Sequence, residues 1–219
     1  MNLQERELLS KCASGLGISV PGDQLHLLGI YLDELWEWNE KMNLTGLSSR
    51  QGIIRELLVD SLLPSAFLPE RGRLLDIGSG AGFPGIPLKI NKSGIEVHLI
   101  EANSRKANFL RQVIRAAKLT GIEVIRGRVE NEGTNLHPDG YHIITARAVS
   151  PLPRCLSLCT PFLCSGGIIV NFQGKRFEKA LEESSDVIKE LGLLLHKSIP
   201  YKLPGVDIQR QLLIFKKQG

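Results

Sequence analysis

The chain has 219 residues, 42% hydrophobic and 23% charged, which is enough for one substantial core and too apolar for a disordered chain. Lys and Arg outnumber Asp and Glu by 27 to 23, a formal net charge of +4 that suits a phosphate-bearing partner and excludes a polycationic coat. No apolar run reaches the roughly 18 residues that span a bilayer, and the start, MNLQERELLSK, is charged from residue 5, so a cytoplasmic protein with no membrane partner is expected.

Residues 1 to about 70 read as a helical N-terminal extension. Pro21 and Asp23 suit a helix start. Leu28, Leu32, Leu35 and Met42 then recur at helical steps, with Trp36 and Trp38 beside them. A polar turn, Asn43-Leu-Thr-Gly46, follows. A second apolar pattern through Ile53, Ile54, Leu57, Leu58 and Leu62 is expected to stop at Pro64.

From 71 to 219 the texture changes to that of a single α/β domain. Apolar strand patterns over 74–77, 96–101, 122–126, 141–145 and 167–172 alternate with helical patterns over about 104–119 and 151–163. Such alternation predicts a mostly parallel sheet with helices on both faces. After a helix over about 177–191, two strand-like runs, 193–201 and 208–215, are joined by Leu203-Pro-Gly-Val-Asp207 and read as a β-hairpin. A doubly wound, Rossmann-like sheet ending in an antiparallel hairpin resembles the class I S-adenosylmethionine-dependent methyltransferase fold.

The first of these strands runs into Asp76-Ile-Gly-Ser-Gly-Ala-Gly-Phe-Pro-Gly85. Gly78, Gly80 and Gly82 let the chain bend sharply and let a ligand lie against bare main chain. Nineteen residues past Gly82, Glu101 closes the second strand, where a carboxylate can accept both hydroxyls of an adenosine ribose. Gly80 to Gly85 also satisfies the G-x-G-x-x-G dinucleotide spacing, which leaves a nicotinamide dehydrogenase open. Two features favour S-adenosylmethionine instead. One is Asp76, expected to face the cationic methionine end and repel a pyrophosphate. The other is the terminal hairpin.

The residues after the fourth strand narrow the chemistry. Thr145-Ala-Arg-Ala-Val-Ser-Pro151 lacks the Asp/Asn-Pro-Pro-aromatic motif that goes with exocyclic amine methylation. Cytosine carbon-5 methylation needs a cysteine nucleophile, for which Cys155 is the candidate, although Cys155 and Cys159 also have the spacing of a packed helix face. The other two cysteines, Cys12 and Cys164, complete no zinc-like pair, and no metal is expected. A ring nitrogen such as guanine N7 needs orientation and charge but no general base. Arg147, at the end of the fourth strand, is the candidate to supply that charge.

Taken together, the chain resembles the bacterial small-subunit ribosomal RNA guanine-N7 methyltransferases, the glucose-inhibited division protein B family. The matching strings are Trp38-Asn39, Asn43-Leu-Thr45, Asp60-Ser-Leu62, Asp76 to Pro87, Arg105-Lys-Ala-Asn-Phe-Leu-Arg111, Gly127-Arg-Val-Glu130, Ala146-Arg-Ala148 and Phe172-Gln-Gly-Lys175, with the ending Leu212-Leu-Ile-Phe-Lys216. The resemblance implies cofactor contacts at Gly78, Phe83, Val129, Glu130 and Arg147, beside Glu101. It implies methylation of a guanine N7 in the decoding-centre loop of 16S rRNA, with the small ribosomal subunit as partner and a monomeric enzyme. Arg105, Lys106, Arg111, Arg128 and Lys175 then become candidate phosphate contacts. A non-catalytic ribosome-associated protein of the same fold is the alternative outside enzymes. One departure stands out: the family's Arg-His before Asp-Ser-Leu is replaced by Arg55-Glu-Leu-Leu-Val-Asp60, with no histidine.

Overall fold

In a computed structural model of the chain, residues 1–131 and 136–218 are described. The strands are β1 (Gly72–Ile77), β2 (Ile95–Glu101), β3 (Ile122–Arg126), β4 (Tyr141–Ala146), β5 (Leu163–Gln173), β6 (Leu193–Lys202) and β7 (Gln209–Lys217). They form one sheet in the order β3-β2-β1-β4-β5-β7-β6. β1 to β5 pair in parallel, while β7 lies antiparallel between β5 and β6. This is the doubly wound sheet with a terminal hairpin expected from the alternation.

Side chains alternate across the sheet and build two cores. Leu74, Val97, Leu99 and Ile143 face the N-terminal helices, while Leu75, Ile77, Ile100 and Ile144 face the other way. On the first face lie α1 (Leu3–Ser14), α2 (Gly22–Met42), α5 (Gly85–Asn91) and α6 (Ser104–Ala116). Asn2 and Glu5 form a capping box that starts α1, and Asn43, with φ 45°, ends α2 in the left-handed region. Leu9, Tyr31 and Leu58 pack into the same cluster as Leu74 and Val97, so the first 70 residues share the sheet's core. The second face is covered by α7 (Leu152–Cys159), α8 (Phe177–Glu183) and α9 (Ser185–Glu190).

Three boundaries differ from the sequence reading. Pro64 does not stop the chain's helical path. α3 (Arg50–Ile53), a π turn (Ile54–Leu58) and α4 (Val59–Leu62) lead into a 3₁₀ turn (Leu63–Phe67), with Pro64 in its first positions, where the missing N–H is not needed. α7 ends at Cys159, and β5 starts at Leu163, four residues before the expected strand. The helix expected over 177–191 breaks at Ser184, whose hydroxyl donates to the Ala180 carbonyl at 2.6 Å and competes with the helical ladder. Among the described residues no helix is long and apolar enough to cross a membrane.

Candidate active site

Parallel register brings three chain segments to one place. Ile77 stands beside Ile100 of β2 and Ala146 of β4, so the next residues, Gly78, Glu101 and Arg147, leave neighbouring strand ends together. The strand order reverses about β1, which makes this carboxyl edge the switch point where α/β sheets bind ligands.

The bend itself needs glycine. Gly78, Gly80 and Gly82 have φ of 68°, 58° and 95°, a region costly to side-chain-bearing residues. The Gly78 and Ser79 N–H groups both donate to the Ile100 carbonyl, at 2.9 and 3.1 Å, which ties the bend to β2. Glu101 completes the tie: one carboxylate oxygen accepts from Gly80 N–H at 2.8 Å and the other from Asn103 N–H at 2.7 Å. The side chain is 8% exposed, and each oxygen keeps a second lone-pair direction for a ligand hydroxyl. Beside it opens a cavity of about 430 Å³ lined by Gly78, Glu101, Arg128, Val129, Glu130 and Arg154, among others. Val129 is buried in the wall and Glu130 is exposed at the rim.

Asp76 sits differently from the expectation. Its carboxylate is 1% exposed and does not line the cavity. It points beneath the bend, accepting from the Thr145 hydroxyl at 2.7 Å and the Gly85 N–H at 3.3 Å. It therefore anchors the start of α5 to β4, and any influence on a cation in the crevice acts through the field rather than by contact. Burial raises its pKa to about 6, against the opposing pull of those hydrogen bonds and of Arg147. Phe83 likewise faces away from the cavity, with its ring 5.4 Å from that of Tyr31, whose hydroxyl donates to the Ala81 carbonyl at 2.6 Å. A contact of Phe83 with a ligand would run through its main chain.

Arg147 also differs: it turns from the cavity toward the N-terminal segment. It pairs with Asp60 at 3.0 Å, donates to the Glu56 carbonyl at 3.3 Å, and lies 5.6 Å from the centre of the Phe172 ring. Its other terminal nitrogen, Nη1, is buried with no protein partner. Asp60, 1% exposed, also pairs with Arg210 at 3.1 Å and accepts from Tyr201 at 2.6 Å. Burial and the Asp60 charge push the Tyr201 phenol well above its ordinary pKa, so it remains a donor. Three distant segments meet on one carboxylate here. The Asp60-Ser-Leu string was visible in the sequence, but its partners Tyr201 and Arg210 carried no local signal. Arg154, on the cavity wall, also went unnoticed.

The basic candidates spread over the surface. Arg105 and Lys106 begin α6, Arg128 lies at the cavity rim, Arg111 donates to the Val124 carbonyl, and Lys175 is exposed after β5. Cys155 is not favoured as a nucleophile: it is 2% exposed inside the second core, and its sulfur accepts from the Asn171 amide at 3.3 Å. Among the described residues no cluster of three or more His, Cys, Asp or Glu is placed to hold a metal ion.

The comparisons with known proteins agree with one another. Residues 24–212 match the family model described as rRNA small subunit methyltransferase G. The chain is 34% identical over 218 residues to the ribosomal RNA small subunit methyltransferase G of Alkaliphilus oremlandii, covering 98% of this chain and 91% of that protein. It is 35% identical to that of Acetivibrio thermocellus, covering 98% and 89%. Among solved structures, an O-methyltransferase from Bacillus cereus in complex with SAH superposes with a TM-score of 0.61 at 18% identity, over 85% of this chain and 90% of that one. A methyltransferase from Pyrococcus furiosus gives 0.61 at 16% identity, over 88% and 98%.

Proposed function

The chain belongs to the rRNA small subunit methyltransferase G family, and from that premise we propose that it methylates N7 of a guanine in the decoding-centre loop of 16S rRNA, using S-adenosylmethionine. The observation that carries this reading is the joining of Glu101 to the glycine bend through the Gly80 N–H. It sets the Gly78 main chain, with Val149 against it, beside a carboxylate at the cavity's edge, which is what an adenosine ribose lying on main chain requires.

In this reading Gly78 gives the main-chain shelf in the cavity wall, Gly80 and Gly82 give the bend that holds it, Glu101 holds the ribose hydroxyls, and Val129 with Glu130 borders the adenine. Phe83 contributes main chain. Asp76 holds the shelf in shape from below and adds negative potential near the sulfonium. When bound, S-adenosylmethionine supplies an electrophilic methyl group on a sulfonium. The chain's own work is then to align guanine N7 with that carbon, exclude water, and take no proton, since N7 carries a free lone pair. Arg147 is assigned the orienting of guanine O6 or a neighbouring phosphate, supported by its unpartnered Nη1, and this role requires the side chain to turn from Asp60 toward the crevice. Arg105, Lys106, Arg111, Arg128 and Lys175 give the RNA backbone its counter-charges. The small ribosomal subunit as partner, a cytoplasmic location and action as a monomer belong to the same reading.

The test is transfer from labelled S-adenosylmethionine to small ribosomal subunits from a strain lacking the enzyme. Label in 16S rRNA supports the assignment. Cofactor binding with no label in rRNA would defeat it.

A further inference from the structure

Where the last turn of α2 meets the first turn of α6, Trp38, Lys41, Met42 and Arg105 line a second cavity of about 380 Å³. No acidic side chain is in its lining, and none of the described ion pairs uses Lys41 or Arg105, both of which are exposed. Trp38 is half-buried and held against Phe109, ring centres 5.7 Å apart and tilted by 57°, so the indole is fixed in orientation by the core. The turn beyond α2 is held as well. Asn39 accepts from the Thr45 N–H at 2.9 Å and donates to the Leu47 carbonyl at 3.1 Å.

This cavity is coupled to the crevice. Asn103, whose N–H donates to Glu101, caps α6 by accepting from the N–H groups of Arg105 and Lys106 at 2.9 and 3.2 Å. The residue that presents Arg105 is thus hydrogen-bonded to the acid of the nucleoside shelf.

A fixed aromatic ring flanked by two cations that form no ion pair among the described residues, with no carboxylate in the described lining, is the composition that takes a nucleotide: the ring stacks a base of any kind, and the cations take phosphates. An apolar protein segment would leave both cations buried without partners. We infer that this cavity is a subsite for a single-stranded nucleotide flanking the target guanine, its base on Trp38 and Met42 and its phosphates on Lys41 and Arg105. The inference rests on the proposed rRNA substrate. It extends that reading by giving the RNA strand a path, past the cofactor's shelf and across the start of α6 to the end of α2.

Trp36 and Trp38 are the chain's two tryptophans, so Trp36→Phe leaves Trp38 as the sole indole reporter. A single-stranded ten-residue oligoribonucleotide with the sequence of the 16S decoding loop is titrated into that variant, and inorganic polyphosphate serves as the stacking-free control. The expected result is quenching of Trp38 by the oligonucleotide and little by polyphosphate. Lys41→Ala and Arg105→Ala, in the same background, should each make the slope of log affinity against log salt shallower by about 0.7, the value for one lost single-strand phosphate contact. Trp38→Leu should raise KM for small ribosomal subunits about tenfold, with the calorimetric Kd for S-adenosylmethionine unchanged as the check that the fold is intact. If the wild-type protein methylates subunits while Trp38 is not quenched and the salt slopes match wild type, the subsite is overturned and the function stands. If the wild-type protein transfers no methyl to rRNA, the functional reading itself fails.

Discussion

Glu101 and Gly80 are joined by a 2.8 Å hydrogen bond from the main chain of the bend to the carboxylate that closes β2. The acid therefore shapes the nucleoside shelf as well as facing it. Glu101→Gln puts an amide NH₂ where one of two N–H groups, of Gly80 or Asn103, now meets an oxygen. Charge-assisted bonds of this kind contribute roughly 1.5–3 kcal/mol each, so the Kd for S-adenosylmethionine should rise about ten- to hundredfold by calorimetry. A Kd within twofold of wild type would contradict the assignment.

Gly85 is needed for space rather than for backbone freedom. A Cβ there would stand 2.4 Å from Leu99 Cδ2 and 2.9 Å from the fixed Asp76 Oδ2. Gly85→Ala should lower the unfolding free energy by about 2–3 kcal/mol in urea titrations, as overpacking of a buried site does. Gly174→Ala, which meets nothing within 4 Å, is the control and should cost under about 1 kcal/mol.

Asp76 gives the unliganded protein a pH signature. Its folded pKa of about 6 lies above the ordinary 3.8, so the native state binds the proton more tightly than the unfolded chain does. The stabilising contribution of this group is full below about pH 4 and is lost as pH rises through about 6. Asp76→Asn removes the titration. The stability of the variant relative to wild type should rise by about 2–3 kcal/mol between pH 4 and pH 7, read from urea unfolding at each pH. A difference that is flat across that window would show that the buried carboxylate does not titrate there.

Cys155 separates packing from chemistry. Buried at 2% exposure against Asn171, it should tolerate Cys155→Ala with methyl transfer within twofold of wild type and a stability loss of about 1–2 kcal/mol. Loss of turnover in a folded variant would revive the cytosine carbon-5 mechanism.

The fold was largely legible because its signals are local. Gly78 to Gly82 announced a bend, the alternation of short apolar runs with helical patterns announced a parallel sheet, and Leu203 to Asp207 announced the hairpin. Glu101 was found by its spacing from the bend. What stayed hidden depends on contacts between distant segments. Asp76 stands next to the glycines in sequence, yet the pleat turns its carboxylate under the bend toward Thr145, 69 residues away. Arg147 leaves the right strand end, yet Asp60 draws it toward the N-terminal helices, because a carboxylate at 1% exposure must be paired. Tyr201 and Arg210 reach that same carboxylate from the hairpin, and no local pattern marks them. The boundaries at Pro64 and Ser184 shifted for a smaller reason, since a 3₁₀ turn accepts a proline and a back-bonded serine breaks a helix.

The position of the added methyl tests the central claim most directly. Small ribosomal subunits from a strain lacking the enzyme are incubated with the protein and S-adenosylmethionine, and their 16S rRNA is digested and read by mass spectrometry. The expected product is a single N7-methylguanosine in the decoding-centre loop. A methyl on a ring carbon, on an exocyclic amine or on another RNA would contradict it.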